Sequence, residues 1–279
     1  MEKPRATQNS ARKVAHKQLL RALLPYGMVA TKKWLAGKGL SLHALDNAVK
    51  TGTLLPLATG VYSQYSTAVG WAGVVASLQL MQKSQAFQAP PIVVGGLSAL
   101  ALSGMAQYVP LSDKQRIDLY SNEKLPPWVA RLPLSIEFRR RSTRRLWPDS
   151  ISADETFVKK YDWQSQSPPV CFSCPEKAIL EVMMDLPQKM SFEHVDELMQ
   201  GLSNLSPRKL DKLLRGCQSV KVKRLFLWFA RRQAHTWFHQ LSTQDYDLGS
   251  GKRVIAKAGR LDAQYLITVP PKMASATEG

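Results

Sequence analysis

The sequence predicts an α+β fold: an N-terminal helix–helix–helix–hairpin unit, then a larger mixed α/β region ending in basic helices. Three observations predict it. Ser or Thr opens, and Gly closes, the two short helical stretches between residues 31 and 52, and two short apolar runs then flank Ala58-Thr59-Gly60. Strand-like and helix-like runs alternate as far as about residue 170. From Pro175 onward the apolar spacing is helical.

The first helix is read over Val14 to Leu24, where apolar and basic positions alternate at helical spacing. The residues before it (Glu2, Lys3, Pro4, Arg5, Gln8, Asn9, Ser10) read as a mobile arm. Thr31 opens a second helix through Lys32, Lys33, Trp34, Leu35 and Ala36, which Gly37 and Gly39 close. Ser41 opens a third, which runs to about Thr51 and stops at Gly52. Leu54 to Leu57 and Val61 to Ser63 then form a hairpin. This order is that of a winged helix-turn-helix, which presents one helix to a DNA major groove.

In that third helix, Leu42, Leu45 and Val49 recur at core spacing, which leaves His43, Asn47, Lys50 and Thr51 outward. Asn bonds adenine in bidentate fashion, and Lys reaches guanine or a phosphate. Thr31, Lys32, Lys33 and Ser41 sit where free helix N–H groups and positive charge suit a phosphate. Thr59, at the hairpin tip, would reach the neighbouring backbone or minor groove. These nine residues form the candidate DNA-binding set.

The middle of the chain reads as a buried helix over Ala68 to Met81, with Trp71, Val74, Val75 and Leu78 inward, then a strand at Ile92-Val93-Val94. Gly95-Gly96 makes a turn into a helix over Leu97 to Met105, and Arg116 to Ser121 and Leu134 to Arg141 alternate as strands. The second strand runs into five arginines within seven residues. Of these, Arg139, Arg141, Arg144 and Arg145 are candidate phosphate contacts, since clustered guanidinium groups suit phosphate geometry; a solvated strand end is the alternative.

Helices follow over Glu176 to Leu186, Phe192 to Leu202, Pro207 to Gly216 and about Val220 to Leu241. The last divides into an apolar side (Val222, Phe226, Phe229, Ala230, Trp237) and a basic one (Lys221, Arg224, Trp228, Arg231, Arg232, His235, His239). A basic face with an exposed ring suits nucleic acid, because the ring stacks on bases while Lys and Arg hold the backbone. Arg208 and Lys212 extend this candidate surface; a solvated face with one buried Trp is the alternative.

Charge separates these regions. The chain carries +17 overall, which favours polyanions. Residues 1–60 carry +8, residues 61–205 are balanced, and residues 206–260 carry +10. Two separate basic regions imply two tasks. The division follows: a winged helix-turn-helix over 1–64, and a second domain over 65–279 that is mixed α/β to 170 and mainly helical and basic from 171.

Several classes are disfavoured. Three cysteines do not make a disulfide framework and fit a reducing cytoplasm. Cys171 and Cys174 form a C-x-x-C with no matching second ligand pair, so neither metal nor cofactor is expected. No apolar run follows the N-terminus as a signal peptide would require. The uncharged stretches 64–82 and 90–112 are too polar and interrupted to span a membrane. No P-loop, G-x-S-x-G or H-E-x-x-H occurs, so the chain reads as a non-enzyme.

The runs Leu24-Pro25-Tyr26-Gly27, Gly52-Thr53-Leu54-Leu55 and Gly60-Val61-Tyr62 resemble the N-terminal part of the AbiEi antitoxins of bacterial type IV toxin–antitoxin systems. Pro91 to Leu100 is similar to the opening of that family's second domain, and Gly251-Lys252-Arg253-Val254 and Tyr265 to Pro270 to its closing segment. The resemblance spans about residues 17 to 271. It implies an antitoxin whose winged helix binds inverted repeats in double-stranded DNA of its own promoter. It further implies a C-terminal domain that neutralises a cognate nucleotidyltransferase toxin, in this family without a stable complex. The family's basic second-domain surface would fall on residues 206–260. Two other readings stand beside it: a transcription factor whose residues 65–205 bind a small molecule, and an RNA-binding accessory protein using the basic C-terminal helices.

Overall fold

The computed structural model describes residues 4–65, 68–82, 89–105 and 115–274, with side chains from residue 14 onward. Helix α1 (Pro4–Leu23) starts ten residues earlier than the apolar spacing implied, so the expected arm is helical from Pro4 on; Glu2 and Lys3 lie outside the described residues. It is followed by β1 (Val29–Thr31), α2 (Lys32–Gly37), α3 (Leu42–Lys50), β2 (Leu54–Ala58) and β3 (Val61–Gln64). The strands form an antiparallel sheet of order β1-β3-β2. This is the winged helix-turn-helix.

Its two short helices start where the Ser/Thr signals place them. The Thr31 hydroxyl accepts from the Trp34 N–H (3.2 Å) and the Ser41 hydroxyl from the Ala44 N–H (3.2 Å), so each satisfies a donor the helix leaves unpaired. The phase of α3 needs one correction. Leu45 is buried, with Ala44, Ala48 and Val49 half-buried beside it, but Leu42 is 57% exposed. Leu40, just before the cap, is buried with Leu45, the two positions of a hydrophobic staple. Leu40 thus fills the core site expected for Leu42, and Leu42 faces outward.

Helix α4 (Trp71–Met81) joins the winged helix to the rest. A Cβ on its Gly73 would lie 1.8 Å from the Gly27 carbonyl oxygen, so only glycine permits this approach. Its Ser77 hydroxyl accepts from the Val29 N–H (2.9 Å). On the other side Gln79 donates to the carbonyls of Ile92 (3.0 Å) and Cys171 (2.8 Å) and accepts from the Cys171 N–H (2.8 Å). One helix therefore packs on both β1 and the large sheet.

The larger region contains β4 (Ile92–Val94), α5 (Gly96–Leu102), β5 (Gln115–Ser121), β6 (Ile136–Arg141), α6 (Asp149–Ser152), β7 (Val158–Tyr161) and β8 (Val170–Ser173). Five strands make a mixed sheet of order β6-β5-β4-β8-β7, with β5/β6 and β4/β8 parallel. The Gly95-Gly96 turn is sterically required: a Cβ on Gly95 would lie 2.3 Å from the Tyr120 ring, and Gly96 has φ +53°. Strands β7 and β8 were not legible in advance; β8 contains Cys171, and Cys174 caps the next helix.

Helices α7 (Pro175–Met183), α8 (Phe192–Gly201), α9 (Pro207–Gly216) and α10 (Val220–Gln233) follow. Helix α10 ends earlier than expected: Ala234 turns left-handed (φ +48°) and Thr236–Gln240 continues as a 3₁₀ turn. The chain closes with β9 (Arg260–Asp262), β10 (Ile267–Val269) and α11 (Pro271–Ala274), the two strands pairing antiparallel. Among the described residues no helix is long and apolar enough to cross a membrane.

Candidate nucleic-acid interface

The outer face of α3 carries His43, Asn47 and Lys50, all exposed, with Leu42 beside them at the first helical position. Between α1 and α3 runs a cleft of about 550 Å³ whose walls include His16, Lys17, His43 and Asn47. Thr51 is exposed, but its hydroxyl is turned back to the Asn47 carbonyl (3.0 Å) and to the Thr53 hydroxyl (3.2 Å). Thr59 is exposed at the wing tip, where Gly60 accepts from the Lys32 N–H (2.8 Å) and so fixes the wing against the start of α2.

The remaining members of the set divide by what already holds them. Thr31 and Ser41 spend their acceptor on a cap, though a capping hydroxyl keeps its own proton to donate to a phosphate. Lys32 pairs with Asp46 at 2.7 Å, which ties α2 to α3. The hydrogen bond raises the Lys32 pKa and lowers that of Asp46. Lys33 is exposed and makes no ion pair among the described residues.

The second candidate surface does not form as the helical phase implied. From Val222 to Ala230 every residue of α10 is buried, including Arg224 (1% exposed) and Trp228 (0%). The exposed ring on a basic face is therefore absent. The helix is enclosed on its basic side as well, because the C-terminal segment after it wraps over that side. Arg224 donates to the carbonyls of Leu248 (2.7 Å), Gly251 (2.7 Å), Gly249 (3.1 Å) and Leu266 (3.3 Å). Arg231 pairs with Asp262 at 2.5 Å and lies over the Tyr265 ring. Arg232 holds Asp196 at 3.1 Å and the Met273 carbonyl at 3.0 Å. Lys221 donates to the Met184 (3.1 Å) and Leu186 carbonyls, and burial lowers its pKa. These side chains fasten α10 to its surroundings. Lys212 is exposed but bound to Asp154 at 2.6 Å, and Arg208 is exposed. Lys252, Arg253 and Lys257, in a loop with no periodic signal, are exposed basic residues that the helical phase did not single out.

The arginine cluster divides in the same way. Arg139 makes a bidentate pair with Asp118 (3.0 and 3.0 Å), and Arg141 reaches Asp118 (3.5 Å) and Asp185 (2.9 Å). Alternation across β6 explains it: residues two apart share a face, and that face meets the buried carboxylate of Asp118 on β5. Arg144 and Arg145, past the strand, are exposed and unpaired among the described residues. Among those residues no group of three or more His, Cys, Asp or Glu is placed to hold a metal. Burial pushes the Cys174 thiol up to about 12 and the Cys217 thiol to about 11.

No curated protein matches the chain. Among solved structures, the RV2827C protein from Mycobacterium tuberculosis is 16% identical with a TM-score of 0.49, covering 86% of this chain and 85% of that one. The family model described as "AbiEi antitoxin N-terminal domain" matches residues 13–111, and that described as "Transcriptional regulator, AbiEi antitoxin, Type IV TA system" matches residues 114–270. Together these matches take in the winged helix, α4, the five-stranded sheet and the helices behind it: the chain belongs to the AbiEi antitoxin family of transcriptional regulators of type IV toxin–antitoxin systems.

Proposed function

We propose that the chain represses its own promoter through the winged helix and neutralises a nucleotidyltransferase toxin through the larger region, without catalysing a reaction itself. The observation that carries the first half is the exposed His43–Asn47–Lys50 face of a helix held by a cap, a staple and the Lys32–Asp46 pair. Asn47 and Lys50 supply groups that read base edges, His43 adds a third polar contact, and Lys33 and Thr59 position the unit on phosphates. Leu42 supplies an apolar contact of the kind that meets a thymine methyl. Two copies on inverted repeats would place two such helices one turn of DNA apart.

For the second half, the family supplies the partner class and the surface supplies the candidates. Arg208, Lys252, Arg253 and Lys257 are exposed within the basic region, whereas Lys221, Arg224, Arg231 and Arg232 of α10 are engaged internally. That engagement removes the feature on which an RNA-binding reading rested.

The test uses the full-length chain. Cutting at residue 64 would strip β1 from α4 and expose Gly73 and Ser77, confounding fold with function. The triple substitution His43→Ala, Asn47→Ala, Lys50→Ala changes exposed residues only. It should abolish repression of a promoter reporter and leave protection against the co-expressed toxin intact. Full repression by this variant would overturn the DNA-reading assignment, and loss of protection with the fold retained would overturn the division of labour.

A further inference from the structure

Lys177 is a buried cation in the wall of a cavity. It sits in the first turn of α7, is 2% exposed, and makes no hydrogen bond or ion pair among the described residues. Isolated buried ammonium groups are costly and are normally paired. The nearest carboxylate in sequence on its own helix face, Glu181, has its oxygens taken by the Gly96 N–H (2.9 Å), the Ser173 hydroxyl (3.1 Å) and the Trp147 indole N–H (3.4 Å). Burial pushes the Glu181 carboxyl up from its ordinary value, and the through-space charge of Lys177 opposes that rise without a direct contact between the two.

Lys177 lines a cavity of about 620 Å³ at the place where β5 and β6 end and β4 begins. The same cavity is lined by Arg144, which is exposed and unpaired, and by Asn122, whose amide oxygen accepts from the Thr143 hydroxyl (2.6 Å) and whose amide N–H groups are thereby left to donate elsewhere. Its two carboxylates, Glu123 and Asp149, are exposed to solvent, where water screens them. The cavity falls within the roughly 300–1,000 Å³ range of small-molecule sites, larger than a free phosphate ion needs.

We propose that this cavity binds a small phosphorylated molecule of mononucleotide size, its phosphate held between Lys177 and Arg144. The site lies in the large sheet, away from α3, and does not depend on the DNA-binding reading. It gives the regulator a place to sense a metabolite.

The test is a thermal-shift and calorimetric titration of the full-length protein, without DNA, against the four nucleoside 5′-monophosphates, the matching nucleosides and inorganic phosphate. At least one monophosphate should raise the melting temperature and bind with a measurable heat, while its nucleoside does neither. Arg144→Ala, an exposed change, should weaken that binding at least tenfold, and Lys177→Met should abolish it while melting no lower than the parent without ligand. If Lys177→Met fails to fold, the Arg144→Ala titration decides alone. Stabilisation by inorganic phosphate only would overturn an organic ligand, and an equal response to the nucleoside would overturn the role of the phosphate. No response to any probe, or an undiminished one in Arg144→Ala, would overturn the site.

Discussion

Arg224 on α10 offers the sharpest test of whether the basic helix is a scaffold or a surface. Its guanidinium donates to four main-chain carbonyls at 2.7 to 3.3 Å, three of them in the loop 248–251. Arg224→Met keeps the apolar stem and removes every donor. Hydrogen bonds to a charged group contribute about 1.5–3 kcal/mol each. The four do not add, because the loop glycines 249 and 251 are exposed and their carbonyls regain water when the guanidinium is gone. A net loss of about 3 kcal/mol follows, equivalent to a fall in melting temperature of roughly 6–12 °C for a chain of this size. Arg224→Lys should recover little, since one ammonium cannot span four acceptors arranged around a planar fork. Thermal unfolding followed by circular dichroism reads the shift directly. A melting temperature within about 2 °C of the parent, together with loss of toxin protection, would refute the reasoning and restore Arg224 to a binding surface.

Three further outcomes are expected. Asp46→Ala frees Lys32, so operator binding should become more salt-dependent, the log–log slope steepening by about one unit; an unchanged slope would show that Lys32 does not reach a phosphate. Thiol titration of the native protein at neutral pH should count no more than one reactive cysteine, Cys171, because Cys174 and Cys217 are buried and held at about 12 and 11; three reactive thiols before unfolding would contradict the burial. At Asp154 burial acts to raise the pKa, but hydrogen bonds from Lys212 and Thr156 outweigh it and bring it to about 2 from an ordinary 3.8. Its contribution is therefore full above the ordinary value and lost as pH falls from about 4 to about 2, and Asp154→Asn should flatten that part of the acid unfolding curve by at most about 1 kcal/mol, since the pair is solvent-screened.

The winged helix was legible because each boundary has a local cause. Caps at Thr31 and Ser41, glycines at 37, 39 and 52, and the tight turn at Gly60 act within a few residues of themselves. The error at Leu42 arose where two leucines competed for one core position, and the staple formed by Leu40 and Leu45 decided it. Strands β7 and β8 escaped notice because their pairing with each other and with β4 is set by a long-range register that no local pattern encodes. Helix α10 was misjudged for a related reason. Its basic residues alternate with apolar ones as on a solvated helix, and distant segments on both sides of it in sequence, the C-terminal one folded back across it and residues 184–196 before it, supply the carbonyls and carboxylates that engage them. Within the candidate site, side-chain identity gave the outward face of α3, while the Lys32–Asp46 pair, which leaves Lys33 as the unpaired cation, needed three dimensions.

The most direct measurement is operator retardation with single-base variants of one half-site, over a salt series, for the parent, Asn47→Ala and Lys33→Ala. Asn47→Ala should lose about 1–3 kcal/mol of discrimination at one base pair and keep the parent's salt slope. Lys33→Ala should weaken all sequences alike and reduce the slope by about one unit. Identical specificity profiles and salt slopes for all three proteins would contradict the placement of α3 in the groove.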